Sequence, residues 1–118
     1  MNGKTVKKAY LKAMLMEKVL SAEHLRRTAH LWEGEVTEAD LERIAAEETK
    51  VDEELGTWEA HDAVLEAERQ LIEWAWSKLK AHPQYLQWQD KLEYVRQNYC
   101  CFPKIRQGMI DICLRLEE

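Results

Sequence analysis

Only four glycines and two prolines punctuate these 118 residues. That is about 5% of the chain against a usual 12%, too little for a collagen-like repeat or a scaffold rich in turns. The glycines stand singly at Gly3, Gly34, Gly56 and Gly108. A P-loop or a dinucleotide fingerprint needs them clustered, so that backbone N–H groups can close on a phosphate. Apolar runs stop at four or five residues, as from Ala13 to Met16, whereas a bilayer span needs about 20. Lysines precede apolar residues near the start, yet Lys12 and Glu17 cut the run and no small-residue cleavage site follows. This is not the layout of a secretory signal, and the location expected is the cytoplasm. Cysteine is scarce and odd in number, with Cys100 and Cys101 adjacent and Cys113 alone, a poor disulfide framework. Val, Ile and Thr fill 16 positions, little material for an all-β fold.

What the chain has in quantity is helix-forming material. Ala, Leu, Glu, Lys and Arg occupy 60 positions, and no proline or glycine interrupts Lys4 to Trp32. Within that first segment Leu11, Leu15, Ala22, Leu25, Ala29 and Trp32 recur at alternating three- and four-residue steps, broken only at Lys18. A second stripe of Val6, Tyr10, Ala13, Leu20 and Leu31 runs beside the first. An apolar face this wide asks for more than one neighbour. Thr37 then reads as a cap with acids in the following turn. From Leu41 through Ile44, Val51, Leu55, Trp58, Leu65, Ile72 and Trp76 to Leu79 the step holds except at Glu48, Asp62 and Arg69. The stripe keeps its phase across Gly56, so the pattern predicts one helix from 38 to 81, roughly 65 Å long. His82-Pro83 closes it. Tyr85, Trp88, Leu92, Val95 and Tyr99 mark a further helix, and Ile105, Met109, Ile112 and Leu116 a last one. The expected fold is all-α: a single domain, residues 1–118, forming an antiparallel bundle of three to four helices around one long central helix. Short connections place the first helix beside the start of the long one and the last two beside its end.

The net charge of −5 conceals an uneven distribution. Residues 1–30 carry seven bases and two acids, residues 33–73 three bases and fifteen acids, and residues 74–118 seven bases and five acids. A basic first segment and an acidic second one complement each other when packed antiparallel, although exposed ion pairs contribute only about 0–1 kcal/mol each. Lys4, Lys7, Lys8, Lys12, Lys18, Arg26 and Arg27 are the one run suited to nucleic acid. The acidic segment beside them argues against that partner by repelling phosphate.

Among the acids, Glu35-x-x-Glu38 is followed by Glu59-x-x-Asp62. Magnesium prefers hard oxygen ligands and lets water and phosphate complete its shell. The pattern resembles the acid pairs of the all-helical MazG-like nucleotide pyrophosphohydrolases. That resemblance implies Mg2+ held by Glu35, Glu38, Glu59 and Asp62 against a triphosphate. A solvated acidic face produces the same pattern, and under that reading no cofactor is called for. Glu17, His24, Glu48 and Asp62 also fall on the apolar stripes, where a carboxylate needs a metal or a partner. None of His24, His30, His61 and His82 follows a glutamate by three residues, so the Glu-x-x-His pattern of di-iron bundles is missing. No Cys-x-x-Cys accompanies the histidines for zinc. Ser21 and Ser77, the only serines, both fall within helical segments, which leaves no evident serine nucleophile.

Five tryptophans in a chain of this size stand out: Trp32, Trp58, Trp74, Trp76 and Trp88. Trp74 and Trp76, two apart, point about 200° from each other on a helix. One apolar face cannot take both rings, so Trp74 is left for another helix or another chain. Large aromatics are common anchors of protein interfaces. Trp58, Trp74, Trp76 and Trp88 are accordingly the expected interaction residues of a non-catalytic assembly module that forms a homo-oligomer, most simply a dimer, or binds a protein partner.

Overall fold

The computed structural model describes residues 2–81, 86–98 and 103–116. Its ordered elements are α1 (Gly3–Thr28), a short 3-10 turn (Ala29–Trp32), α2 (Glu38–Leu55), α3 (Thr57–Ala81), α4 (Leu86–Gln97) and α5 (Pro103–Arg115). No strand occurs among the described residues. The fold is all-α, as composition and periodicity require. The expected junctions at His82-Pro83 and at Cys100-Cys101-Phe102 lie outside the described residues.

Local chemistry accounts for the helix ends. Asn2 opens α1, its side-chain oxygen accepting the Thr5 N–H at 2.8 Å, one of the donors a helix start leaves unpaired. Arg26 and Arg27 stand in the last turn of α1, where positive charge suits the helix dipole. At α2 the Thr37 N–H and hydroxyl both donate to Asp40, at 3.0 and 2.9 Å. The Thr37 N–H is the main reason the Asp40 carboxyl is held below its usual range.

The continuous helix expected from 38 to 81 is in fact two helices. Gly56 adopts φ +70° and ψ +36° and caps α2, its N–H returning to the Asp52 carbonyl at 2.9 Å. This left-handed geometry is open to glycine and costly for a side chain. The Thr57 hydroxyl donates to Asp52 Oδ1 at 2.5 Å, and Ala60 N–H returns to the Gly56 carbonyl at 3.0 Å, so α3 begins at once. The junction uses a single residue, which explains why the apolar stripe passes it in phase. Among the described residues there are therefore five α-helices, where three to four were expected.

The helices form two compact units, residues 1–12 with 65–118 and residues 13–64. In the first, the beginning of α1, most of α3, α4 and α5 enclose Val6, Tyr10, Ala67, Leu71, Ile72, Trp74, Ala75, Leu79, Leu92, Val95, Met109, Ile110 and Cys113. Polar contacts fix the directions. Gln89 bonds the Leu79 carbonyl and Arg96 reaches Glu73 at 3.2 Å, so α4 runs antiparallel to α3. Lys7 bonds the Leu116 carbonyl while Tyr10 meets Gln107, so α5 runs antiparallel to α1. Gly3 lies against Trp74 in this unit. A Cβ built there would fall 2.3 Å from the Trp74 ring. The absence of a side chain at Gly3 is what seats the indole.

The second unit is a helical hairpin. The remainder of α1 and the 3-10 turn lie against α2 and the start of α3. The order of pairing is antiparallel, with Glu17 opposite His61, His24 opposite Asp52, and Trp32 opposite Glu48. Only Thr28, Ile44, Ala60 and Val64 are buried here.

Replacing Gly3 by Ala forces the indole to move and should cost about 1–3 kcal/mol, whereas Gly56→Ala should cost about 1–2 kcal/mol through its left-handed backbone. Both are read as shifts in the urea midpoint, and no change in either would contradict the packing and the cap described. Burial pushes the Cys113 thiol up to about 12. Peptide mapping after iodoacetamide at pH 8.5 should find Cys113 unmodified in the folded chain and modified in urea.

Candidate interaction surface

In residues 13–64 the helix α1 is apolar on two opposite sides. Ala13, Glu17, Leu20, His24 and Thr28 turn toward α2 and α3 and are half-buried or buried. At about 100° per residue, Leu15, Val19, Ala22 and Leu25 point the other way. There Leu15 and Leu25 are each 64% exposed and Val19 55%. Met14 and Met16, about 200° apart on the helix, are exposed on its two flanks, and Trp32, in the 3-10 turn, is 50% exposed with its indole N–H donating to Glu48 Oε1 at 2.6 Å. Of the two stripes legible in the first segment, the one with the more regular spacing is thus turned to solvent and the other is packed. Lysine at position 18, which breaks the regular stripe, is exposed on the outer side as well.

Charges border this surface in a defined way. Glu23 accepts from Arg26 at 2.9 and 2.5 Å and from Arg27 at 3.0 Å. These hydrogen bonds hold its carboxyl at about 2, so it is ionised at any physiological pH. Arg27 also reaches Glu54 on α2 at 3.4 Å.

The polar residues that interrupt the stripes have individual partners instead of a common one. Glu17 Oε2 lies 2.7 Å from His61 Nδ1. His24 Nε2 lies 3.2 Å from Asp52 Oδ1, the atom that also takes the Thr57 hydroxyl. Glu48 is occupied by Trp32. Asp62 is exposed on α3. Among the described residues no three His, Cys, Asp or Glu side chains converge as a metal would require. Nor are Glu35, Glu38, Glu59 and Asp62 brought together as the pyrophosphohydrolase-like pattern demands. All four are exposed. Glu35 precedes α2, Glu38 begins it, and Glu59 and Asp62 follow its far end, roughly 27 Å away by the helical rise.

The tryptophans divide. Trp74 is only 6% exposed, pressed on Gly3 with the Lys7 ammonium 5.2 Å from its ring centre. Trp76 is half-buried, and the Arg96 guanidinium of α4 lies 5.5 Å over its ring. The two rings do point apart, and helices on both sides of α3 cover them: α1 takes Trp74 and α4 takes Trp76. Trp58 is 55% exposed, and the Trp88 side chain lies outside the described residues. The exposed α1 face was visible in the sequence as a stripe, but nothing in its spacing said that it faces outward.

The basic run is also partly consumed. Lys7 is bound to the Leu116 carbonyl, and Arg26 and Arg27 to Glu23. Lys4, Lys8 and Lys12 border a shallow depression with Thr5 and Ala9. No described helix is long and apolar enough to cross a membrane.

Compared with protein-family models, with curated proteins and with solved structures, the chain matches none.

Trp74→Ala should remove about 3–5 kcal/mol of stability, while Trp58→Ala should change it by less than about 0.5 kcal/mol. Chemical denaturation followed by far-UV circular dichroism separates the two, and equal effects would refute this division of the tryptophans.

Proposed function

We propose that the chain is a non-catalytic helical interaction module and that the outer side of α1 is its docking surface for a helix of another chain. The observation that carries this reading is the exposure of Leu15, Val19 and Leu25 on a helix already packed along its opposite side. A stripe at regular three- and four-residue spacing is the form in which one helix receives another. Each such leucine, when covered, contributes roughly 1.5–3 kcal/mol. A solvated helix gains nothing from leucine at these positions, because polar helix formers of equal propensity would serve there.

The reading also accounts for the pairing of the polar groups. Glu17, His24 and Glu48 stand in the hairpin's internal seam and are matched by His61, Asp52 and Trp32. These matches register the hairpin. The internal seam aligns α1, and the outer side presents it. Trp58 is a further exposed aromatic in the same unit, while Trp74 and Trp76 support the bundle from within.

Native mass spectrometry of the protein purified from its own host tests the proposal. The expected result is a species heavier than the 14.0 kDa chain that reverts to 14.0 kDa in Leu15→Glu/Leu25→Glu, with helicity unchanged. A mass of 14.0 kDa for both proteins, or a heavier species indifferent to the double substitution, would defeat it.

A further inference from the structure

Residues 1–16 hold four lysines and no acid, in a chain whose 22 acids outnumber its bases. Lys4, Lys8 and Lys12 follow one another at four-residue steps on α1, each about 6 Å and 40° beyond the last. All three are exposed and border one shallow depression with Thr5 and Ala9. Helix physics disfavours this placement twice. Like charges four residues apart repel, and Lys4 stands in a first turn that holds no acid, where positive charge opposes the helix dipole. Elsewhere the fold neutralises its bases: Arg26, Arg27, Arg43, Arg69, Arg96 and Arg106 each have a carboxylate within ion-pair distance. No ion pair joins Lys8 or Lys12 to an acid among the described residues. A local rule broken without compensation inside the molecule points to compensation from outside.

We propose that Lys4, Lys8 and Lys12 are a docking row for an acidic helix of another chain, one with carboxylates at matching four-residue steps. The row lies apart from the surface of Leu15, Val19 and Leu25 and requires nothing of it. Charge favours the unit that carries it as the receiver. Residues 1–12 with 65–118 have twelve bases and eight acids, whereas residues 13–64 have five and fourteen. A helix bearing glutamate at every fourth position repeats the 6 Å spacing, so its carboxylates meet the three ammonium groups together. Exposed pairs of this kind are weak singly and act on encounter rate and register more than on affinity.

Other anions fit the row less well. The N–H groups that would cradle a phosphate are engaged, Thr5 N–H with Asn2 Oδ1 at 2.8 Å and Val6 N–H with the Asn2 carbonyl at 3.1 Å. The depression has no arginine for a bidentate grip and no aromatic on which a base would stack. Firm binding of a duplex takes about six to ten phosphate contacts, and the row offers three. An anionic bilayer calls for about four to eight clustered bases and an apolar wedge. Leu11 is the one exposed large apolar side chain among the described residues up to position 12.

Amide spectra of the isotope-labelled chain, titrated in about 20 mM salt with a blocked alanine-based helix of about 20 residues carrying glutamate at every fourth position, test the proposal. The expected shifts concentrate on residues 4–12, are absent with the glutamine version of the peptide and vanish in about 300 mM salt. Lys8→Gln/Lys12→Gln should weaken binding at least about fivefold and leave the urea midpoint unchanged or higher, because the charges removed repel their neighbours. No shift at low salt, an equal response to the glutamine peptide, or shifts spread alike over Lys50, Lys78 and Lys91 would overturn it. A lowered urea midpoint would do so as well, since it gives the lysines a role inside the fold. Tighter binding of a short DNA duplex or of phosphatidylserine vesicles to the same row also overturns it and makes the partner a phosphate surface.

Discussion

A helix packed on one side has no physical reason to be apolar on the other, and α1 is apolar on both. Through residues 13–64 the chain supplies neighbours for the side bearing Ala13, Leu20 and Thr28, in α2 and the start of α3. The side bearing Leu15, Val19 and Leu25 receives none from the same unit. Much of what is particular to this protein follows from that imbalance: a hairpin with few fully buried residues, polar groups assigned to holding its register, and a surface that gains by being covered. The first unit is the opposite case. There α3 is contacted by α1, α4 and α5, so that even Trp74 and Trp76, which diverge by about 200°, both find cover.

The polar pairs within the hairpin show how register is set where apolar burial is thin. Ile44 alone of α2 is fully buried, so hydrophobic packing leaves sliding motions weakly opposed. Pairing Glu17 with His61 and Arg27 with Glu54 penalises such shifts, because each slip separates hydrogen-bonded groups, and it also parts His24 from Asp52. Asp52 has the central place: its carboxylate meets α1 through His24 and the start of α3 through Thr57, and its carbonyl takes the Gly56 N–H. One residue thereby ties the turn at Gly56 to the helix opposite it.

Much of the fold was legible in the sequence, because periodicity and caps are local. The Thr37 cap and the antiparallel pairing of α1 with α2 appear as read. The break at Gly56 was not, and the reason is geometric. A left-handed glycine that occupies one residue hands the stripe from α2 to α3 without shifting its phase, so the pattern used to detect a break does not register this one. The interaction surface was half legible. Spacing identifies Leu15, Ala22 and Leu25 as a stripe but carries no sign for inward or outward, since that depends on which neighbour arrives first and on which side. For Trp74 the angular argument correctly separated it from Trp76. Its cover came from Gly3, seventy-one positions earlier, whose missing side chain is meaningful only once the indole is known to lie there. The acid pairs carry no such information either, since Glu38 begins α2 and Glu59 lies beyond its end in α3.

The link between Lys7 and the Leu116 carbonyl bears on how the protein is made. Residues 13–64 are contiguous, so a ribosome delivers that whole hairpin while residues 65–118 are still untranslated. Residues 1–12 belong to the other unit, and their helical neighbours in α5 are about ninety or more residues downstream. At 5–20 residues per second, Val6 and Tyr10 wait roughly five seconds or longer after synthesis for the partners that bury them. Throughout that interval Val6 and Tyr10, on a segment that also carries Lys4, Lys7, Lys8 and Lys12, are without the α5 residues that help bury them.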